Sequence, residues 1–200
     1  AGNVNTQAVK VLAEKWFGSI PSGNKYHRQL PQEPDQQQER RMVVKKDVPL
    51  DALYKCWHMP ARMDDDYYVT DLVTDILGGS TSSRLYQALV KEKKLFSNIE
   101  CYHFGSLDKG LLAIEGKLVK GVKPEEAEAA IELVLDGVRH QLVDEKELQK
   151  VKNKTESLMA FEDMSLMNRA NSLAFYELLG DAELMNQELH RYNRVTAADI

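Results

Sequence analysis

Two adjacent glycines and the serine-rich run behind them, Gly78-Gly79-Ser80-Thr81-Ser82-Ser83-Arg84-Leu85-Tyr86, constrain the fold of this chain more than any other stretch. Ahead of them Tyr68, Leu72, Val73, Ile76 and Leu77 recur at helical spacing. Glycine ends such a helix because it enters the left-handed conformation without a steric penalty. Behind them Leu85, Ala88, Leu89 and Glu92 resume the spacing, with Thr81 or Ser82 placed to cap the new helix by accepting a bond from an orphan amide. The product is a tight corner between two helices. Arg84 falls at the start of the second, where the helix dipole disfavours a cation, so the sequence predicts an acidic partner for it or a side chain pointing away.

The flanking segments divide into strands and helices. β-Branched and aromatic residues predict strands over 41–46, 52–59, 96–104 and 111–119, the first two parted by Asp47-Val48-Pro49 and the last two by a turn over 105–110. In the second strand Leu53, Lys55, Trp57 and Met59 alternate with Tyr54, Cys56 and His58, and Pro60 ends it. Helical spacing predicts an amphipathic helix over 5–17, with Val9, Leu12, Trp16 and Phe17 on the face suited to a sheet. Asp64-Asp65-Asp66 leads the helix that ends at Leu77, where acidic side chains suit the dipole and read as cap and solvated face rather than a metal cage. Pro124 opens a long helix, Asp144 another, and two more are expected over 165–179 and 181–192. Residues 19–40, with Pro21, Pro31, Pro34 and a glutamine run, read as an extended surface connection. Strands early and helices late predict an α+β fold, a two-layer antiparallel sheet with helices packed on one face.

A chain of 200 residues buries roughly 70% of its unfolded surface, enough for one real core, and a single α+β domain over 1–200 is expected. With 26 basic against 31 acidic residues, nucleic-acid binding has no electrostatic support. No apolar run is long enough to cross a bilayer, so a soluble protein is expected, with cytoplasm and periplasm left open. Cys56 and Cys101 are too few and too far apart for a disulfide scaffold. At one end Thr196 and Asp199 have the spacing of a capping box, and at the other Ala1-Gly2-Asn3 leads straight into a helix. A fragment cut at both ends from a longer protein is therefore expected.

The five histidines, His27, His58, His103, His140 and His190, form neither H-x-x-E-H nor H-E-x-x-H, the helical spacings that set two imidazoles around zinc. Cys56-Trp57-His58 and Cys101-Tyr102-His103 repeat one pattern on two predicted strands, and residues two apart on a strand share a face. Cys56, His58, Cys101 and His103 are thus candidate zinc ligands, set against the closer cysteine spacing of structural zinc sites and the habit of cysteine to act as a small buried hydrophobe. Ser80, Ser82 and Ser83 lack the G-x-S-x-G context of a nucleophile and read as capping residues, and Gly78-Gly79 lacks the lysine of a phosphate-binding loop.

Several motifs recur in one order: Lys15-Trp16-Phe17-Gly18-Ser19-Ile20-Pro21, the 66–77 helix running into Gly78-Gly79, Ser82-Ser83-Arg84-Leu85, Leu107-Asp108-Lys109-Gly110-Leu111 and Val195-Thr196-Ala197-Ala198-Asp199. In that order and spacing the chain resembles the C-terminal domain of one half of the pitrilysin/insulinase-type zinc peptidases, the group that includes mitochondrial processing peptidase. The resemblance implies a processing-peptidase/LuxS-like metallohydrolase fold and a parent that is a zinc metalloendopeptidase. It implies two-domain halves closing as a chamber around a peptide, with zinc held by H-x-x-E-H and a distant glutamate in an upstream domain, where the metal lowers the pKa of its bound water.

None of those ligands is in this sequence, so the resemblance implies no catalytic residue and no cofactor in the fragment itself. The expected partners are the upstream zinc-binding domain, a second half or homologous subunit, and peptide substrates. The corner Gly78, Gly79, Ser82, Ser83, Arg84 and Leu85 carries a structural role, with Arg84 as an anchor. The resemblance implies that the substrate-binding Arg and Tyr of the non-zinc half fall near Val90 and Ser97, and neither is there. That departure favours a place in the zinc-bearing half over a half that has lost its function. Two alternatives stand beside it: an inactive scaffold or core subunit of the same family, and an unrelated metal-binding module using Cys56, His58, Cys101 and His103.

Overall fold

The structure, a computed structural model, describes residues 2–24, 29, 31 and 34–200. His27 and part of the connection expected over 19–40 lie outside the described residues. The chain divides into two compact units, Ala1–Asp47 and Val48–Ile200.

The first unit carries α1 (Thr6–Phe17). Asn5 starts it, its side-chain oxygen accepting from the amides of Gln7 and Ala8 at 3.0 and 3.1 Å. The apolar stripe forms as the spacing predicts, and none of its residues is buried. The strand expected over 41–46 does not form, and Val43 stands 85% exposed there. β-Branched residues express their strand preference through packing and pairing with neighbours, and among the described residues this segment has no ladder partner.

The second unit is built on a three-stranded antiparallel sheet in the order β1-β3-β2, from β1 (Ala52–Met59), β2 (Phe96–Phe104) and β3 (Gly110–Leu118). β2 and β3 are consecutive and form a hairpin, with a bulge between Phe96 and Asn98, while β1 joins the other side of β3. The predicted alternation holds in β1: Leu53, Lys55 and Trp57 are half-buried and Met59 buried, while Tyr54, Cys56 and His58 are exposed. Register places Ile114 and Cys101 on the inner face beside Lys55, and Ala113 and Tyr102 on the outer face beside Cys56.

Helices cover the inner face. Under its middle, Leu77, Leu85, Leu89, Phe96, Ile99 and Ile114 form one core with Ala127, Ala130 and Ile131 of α3 (Pro124–His140), in which proline takes the first turn. A second core joins Tyr68, Leu72 and Ile76 of α2 (Asp66–Gly78) to Leu148 and Val151 of α4 (Glu145–Glu162). Each fully buried Leu, Ile or Phe contributes about 1.5–3 kcal/mol. Asp144 caps α4 by accepting from the amide of Lys146 at 2.7 Å, and Ser165 caps α5 (Leu166–Leu178). The helix expected over 181–192 is divided. Leu184 N–H bonds to the Asp181 carbonyl three residues back, giving a 3₁₀ segment over Ala182–Gln187 before α6 (Glu188–Arg194). Among the described residues no helix is long and apolar enough to cross a membrane.

Candidate functional site

The glycine corner forms, for a different reason than the left-handed stop expected of it. Gly79 has φ −75°, an ordinary value for any residue. Gly78 is required by contact instead: a Cβ there would lie 2.0 Å from the backbone nitrogen of Cys101, so only glycine lets α2 run this close to β2. Neither Thr81 nor Ser82 caps the next helix. Ser82 N–H donates to Ser80 Oγ at 3.3 Å, and Ser83 N–H to the Ser80 carbonyl at 3.1 Å. The chain then winds as a π-helix over Tyr86–Glu92, Lys93 N–H reaching the Ala88 carbonyl five residues back, and enters β2 through Lys94 at φ +55°.

Arg84 has the acidic partner its position demanded. Its Nε lies 3.2 Å from both oxygens of Glu147 and its Nη2 donates to Oε2 at 2.7 Å. Glu147 begins a row along α4, for Lys150 donates to Ser82 Oγ at 2.8 Å and Lys154 to Asp75 at 2.7 Å and the Gly79 carbonyl at 3.2 Å. Spacings of three and four residues put all three side chains on one face of the helix, laid against the corner. Ser83 Oγ is buried there with no partner among the described residues.

The two Cys-aromatic-His trios do not converge. Cys56 pairs with Ala113 and Cys101 with Ile114, neighbours on β3 whose side chains point to opposite faces. Cys56 and His58 are exposed on the outer face. Cys101 is buried on the inner face, its thiol pushed up to about 12 by burial and then by the charge of Asp75. His103 is held on the inner face, Nδ1 3.3 Å from Asp71 and Nε2 3.2 Å from the hydroxyl of Tyr67. Among the described residues no three His, Cys, Asp or Glu side chains come together as a metal site. The candidate ligands Cys56, His58, Cys101 and His103 are therefore not brought together among the described residues.

A polar cluster around Arg62 has no forewarning in the sequence. Arg62, in the loop after β1 and 8% exposed, donates to the hydroxyls of Tyr68 and Tyr176, each at 2.8 Å, and to Glu188. Its guanidinium also lies 4.6 Å from the ring centre of Tyr67. Burial pulls its pKa down, and Glu188 with Tyr176 and Tyr68 more than offset that, so it stays charged. Beside it Tyr192 donates to Asp71 at 2.5 Å, and burial followed by that carboxylate pushes the phenol's pKa up. The cluster fastens α2, β2, α5 and α6 together. Its members lie too far apart in the chain to form a motif.

Within the second unit the outer face is exposed and chemically mixed. Tyr54 and Tyr102 donate their hydroxyls to the two oxygens of Glu115, at 3.2 and 3.1 Å. Glu115 raises the pKa of Tyr54 through that bond and its charge, while Tyr102 is raised by burial first and Glu115 second. Glu100 stands directly across from Glu115 in the register and accepts from Asn98 at 2.8 Å. Phe104 packs edge-on against Tyr102, and it and Tyr54 are each 60% exposed. At the two positions where the resemblance placed Arg and Tyr, Val90 packs partly buried against the core and Ser97 donates to the Lys117 carbonyl at 3.1 Å.

These elements define an α+β fold in the second unit, with an exposed outer sheet face. The chain belongs to the peptidase M16 inactive-domain family, whose description matches residues 1–155. It is 29% identical over 154 residues to the zinc protease PqqE of Helicobacter pylori, covering 76% of this chain and 35% of that protein. It is 26% identical over 202 residues to the zinc protease YmxG of Bacillus subtilis, covering 98% of this chain and 47% of that one. The solved structure of a protease from Helicobacter pylori superposes with a TM-score of 0.88 at 24% identity, over 99% of this chain and 49% of that chain, which shows the fold. The chain thus spans half or less of the length of these relatives.

Proposed function

We propose that this inactive domain is one wall of a chamber that encloses a peptide in a zinc-dependent metalloendopeptidase. Hydrolysis belongs to an upstream domain of the same parent, where an H-x-x-E-H motif holds the zinc, and a second half or homologous subunit closes the chamber. The single observation that carries this role is the one-sided sheet: helices fill the inner face, and the outer face of Tyr54, Tyr102, Phe104 and Glu115 is left open. The absence of H-x-x-E-H from the sequence and the length of the relatives named as zinc proteases support the same division of labour.

The test is hydrolysis of a fluorogenic peptide. The 200-residue chain supplied with zinc is expected to release no product. The parent containing the upstream domain is expected to cleave, to stop on chelation and to recover with zinc. Cleavage by the chain alone, or a parent without H-x-x-E-H, overturns the assignment.

A further inference from the structure

The outer sheet face holds two carboxylates that make no ion pair among the described residues. Glu100 and Glu115 are directly opposed across β2 and β3, an arrangement in which like charges destabilise a sheet. Their partners are neutral: two tyrosine hydroxyls for Glu115 and an asparagine amide for Glu100. Among the described residues neither carboxylate makes an ion pair, although the exposed Lys117 lies two positions along the same face of β3. Around them Tyr54 and Phe104 offer exposed rings, and Leu111 is 39% exposed beside them. A negative, aromatic-lined strip with exposed rings matches one kind of occupant.

We propose that this face seats an extended peptide segment through a lysine or arginine side chain laid between Tyr54 and Tyr102, its charged end on Glu115 and Glu100. The fit follows from complementary chemistry. The aliphatic stem of Lys or Arg covers ring surface while its head stays polar, the ring faces attract the cation, and a charge-assisted bond to a carboxylate is about twice as strong as a neutral one. Bringing a cation between the two glutamates also removes their mutual repulsion, which a neutral or acidic residue does not do. The inference rests on the wall assignment and names the class of segment the wall prefers.

The probe is a short fluorescein-labelled peptide with one central arginine, compared by anisotropy with its norleucine and glutamate counterparts against the 200-residue chain. The arginine peptide is expected to bind at least about tenfold tighter than the norleucine peptide, the size of one charge-assisted hydrogen bond, and to weaken as salt is added. Glu115→Gln is expected to abolish the difference while its thermal midpoint equals or exceeds that of the parent chain, because the like-charge pair is gone. Equal binding of the arginine and norleucine peptides, or a preference that survives both Glu115→Gln and Glu100→Gln, overturns the basic preference and leaves the peptide wall standing. Binding of none of the three peptides overturns both.

Discussion

The same three-residue pattern occurs twice in this sheet with opposite fates. Cys56-Trp57-His58 on β1 shows its cysteine and histidine to solvent, while Cys101-Tyr102-His103 on β2 turns them into the helical layer. Nothing within either trio distinguishes them. The difference is a single step of register against β3, Ala113 for Cys56 and Ile114 for Cys101, and one step in a strand exchanges its faces. Environment in a sheet is set by pairing, so a local motif alone does not license a ligand set.

The largest effect expected from this contrast comes from placing a charge on each side. Cys101→Asp is expected to lose about 3 kcal/mol or more in urea unfolding, since the carboxylate would be buried beside Asp75 without a partner, whereas Cys56→Asp stays within about 0.5 kcal/mol. Comparable losses at the two sites would break the comparison. Next in size is Arg84→Ala, which removes the ion pair to Glu147 from the inner layer. A loss of about 1–2 kcal/mol and a lower melting temperature are expected, with peptide binding at the outer face unchanged. Weakened binding with a normal melting curve would reassign Arg84 to the peptide.

Alkaline pH probes the buried thiol more finely. The native state holds the Cys101 proton up to about 12 against an ordinary value of 9.0, so its contribution is intact below pH 9 and is lost as pH rises from there. At pH 10 the native chain is expected to have given up about 1 kcal/mol more, relative to pH 8, than Cys101→Ala does in the same urea titration. Parallel losses would show that Cys101 is not the group responsible. The smallest effect is at the corner: Ser83→Ala removes a buried hydroxyl without a partner and is expected to be neutral or stabilising by under about 1 kcal/mol. A clear destabilisation would reveal a bond to solvent or ligand at that oxygen.

Much of the second unit was legible because period and punctuation agreed. The three strands Ala52–Met59, Phe96–Phe104 and Gly110–Leu118 and the helix opened by Pro124 stand where alternation, turns and proline placed them. Arg84 announced its acidic partner through a charge on the wrong end of a helix. The missed features are those that depend on contact. The π-winding of Tyr86–Glu92 has no residue signature, the strand over 41–46 lacked a pairing partner, and Gly78 turned out to serve a close approach rather than a left-handed turn. The Arg62 cluster gathers residues from both ends of the unit, and no local spacing announces it.

The placement of β3 between its two partners also orders events during synthesis. Among the described residues the ladder of β1 is with a strand made later, so β1 must wait until α2, the corner and β2 have followed. The β2–β3 hairpin closes locally and quickly, so it is the platform on which the earlier strand is captured. Until then both edges of β1 are open to other nascent chains, so truncations ending before Gly110 are expected to aggregate more than those that include β3.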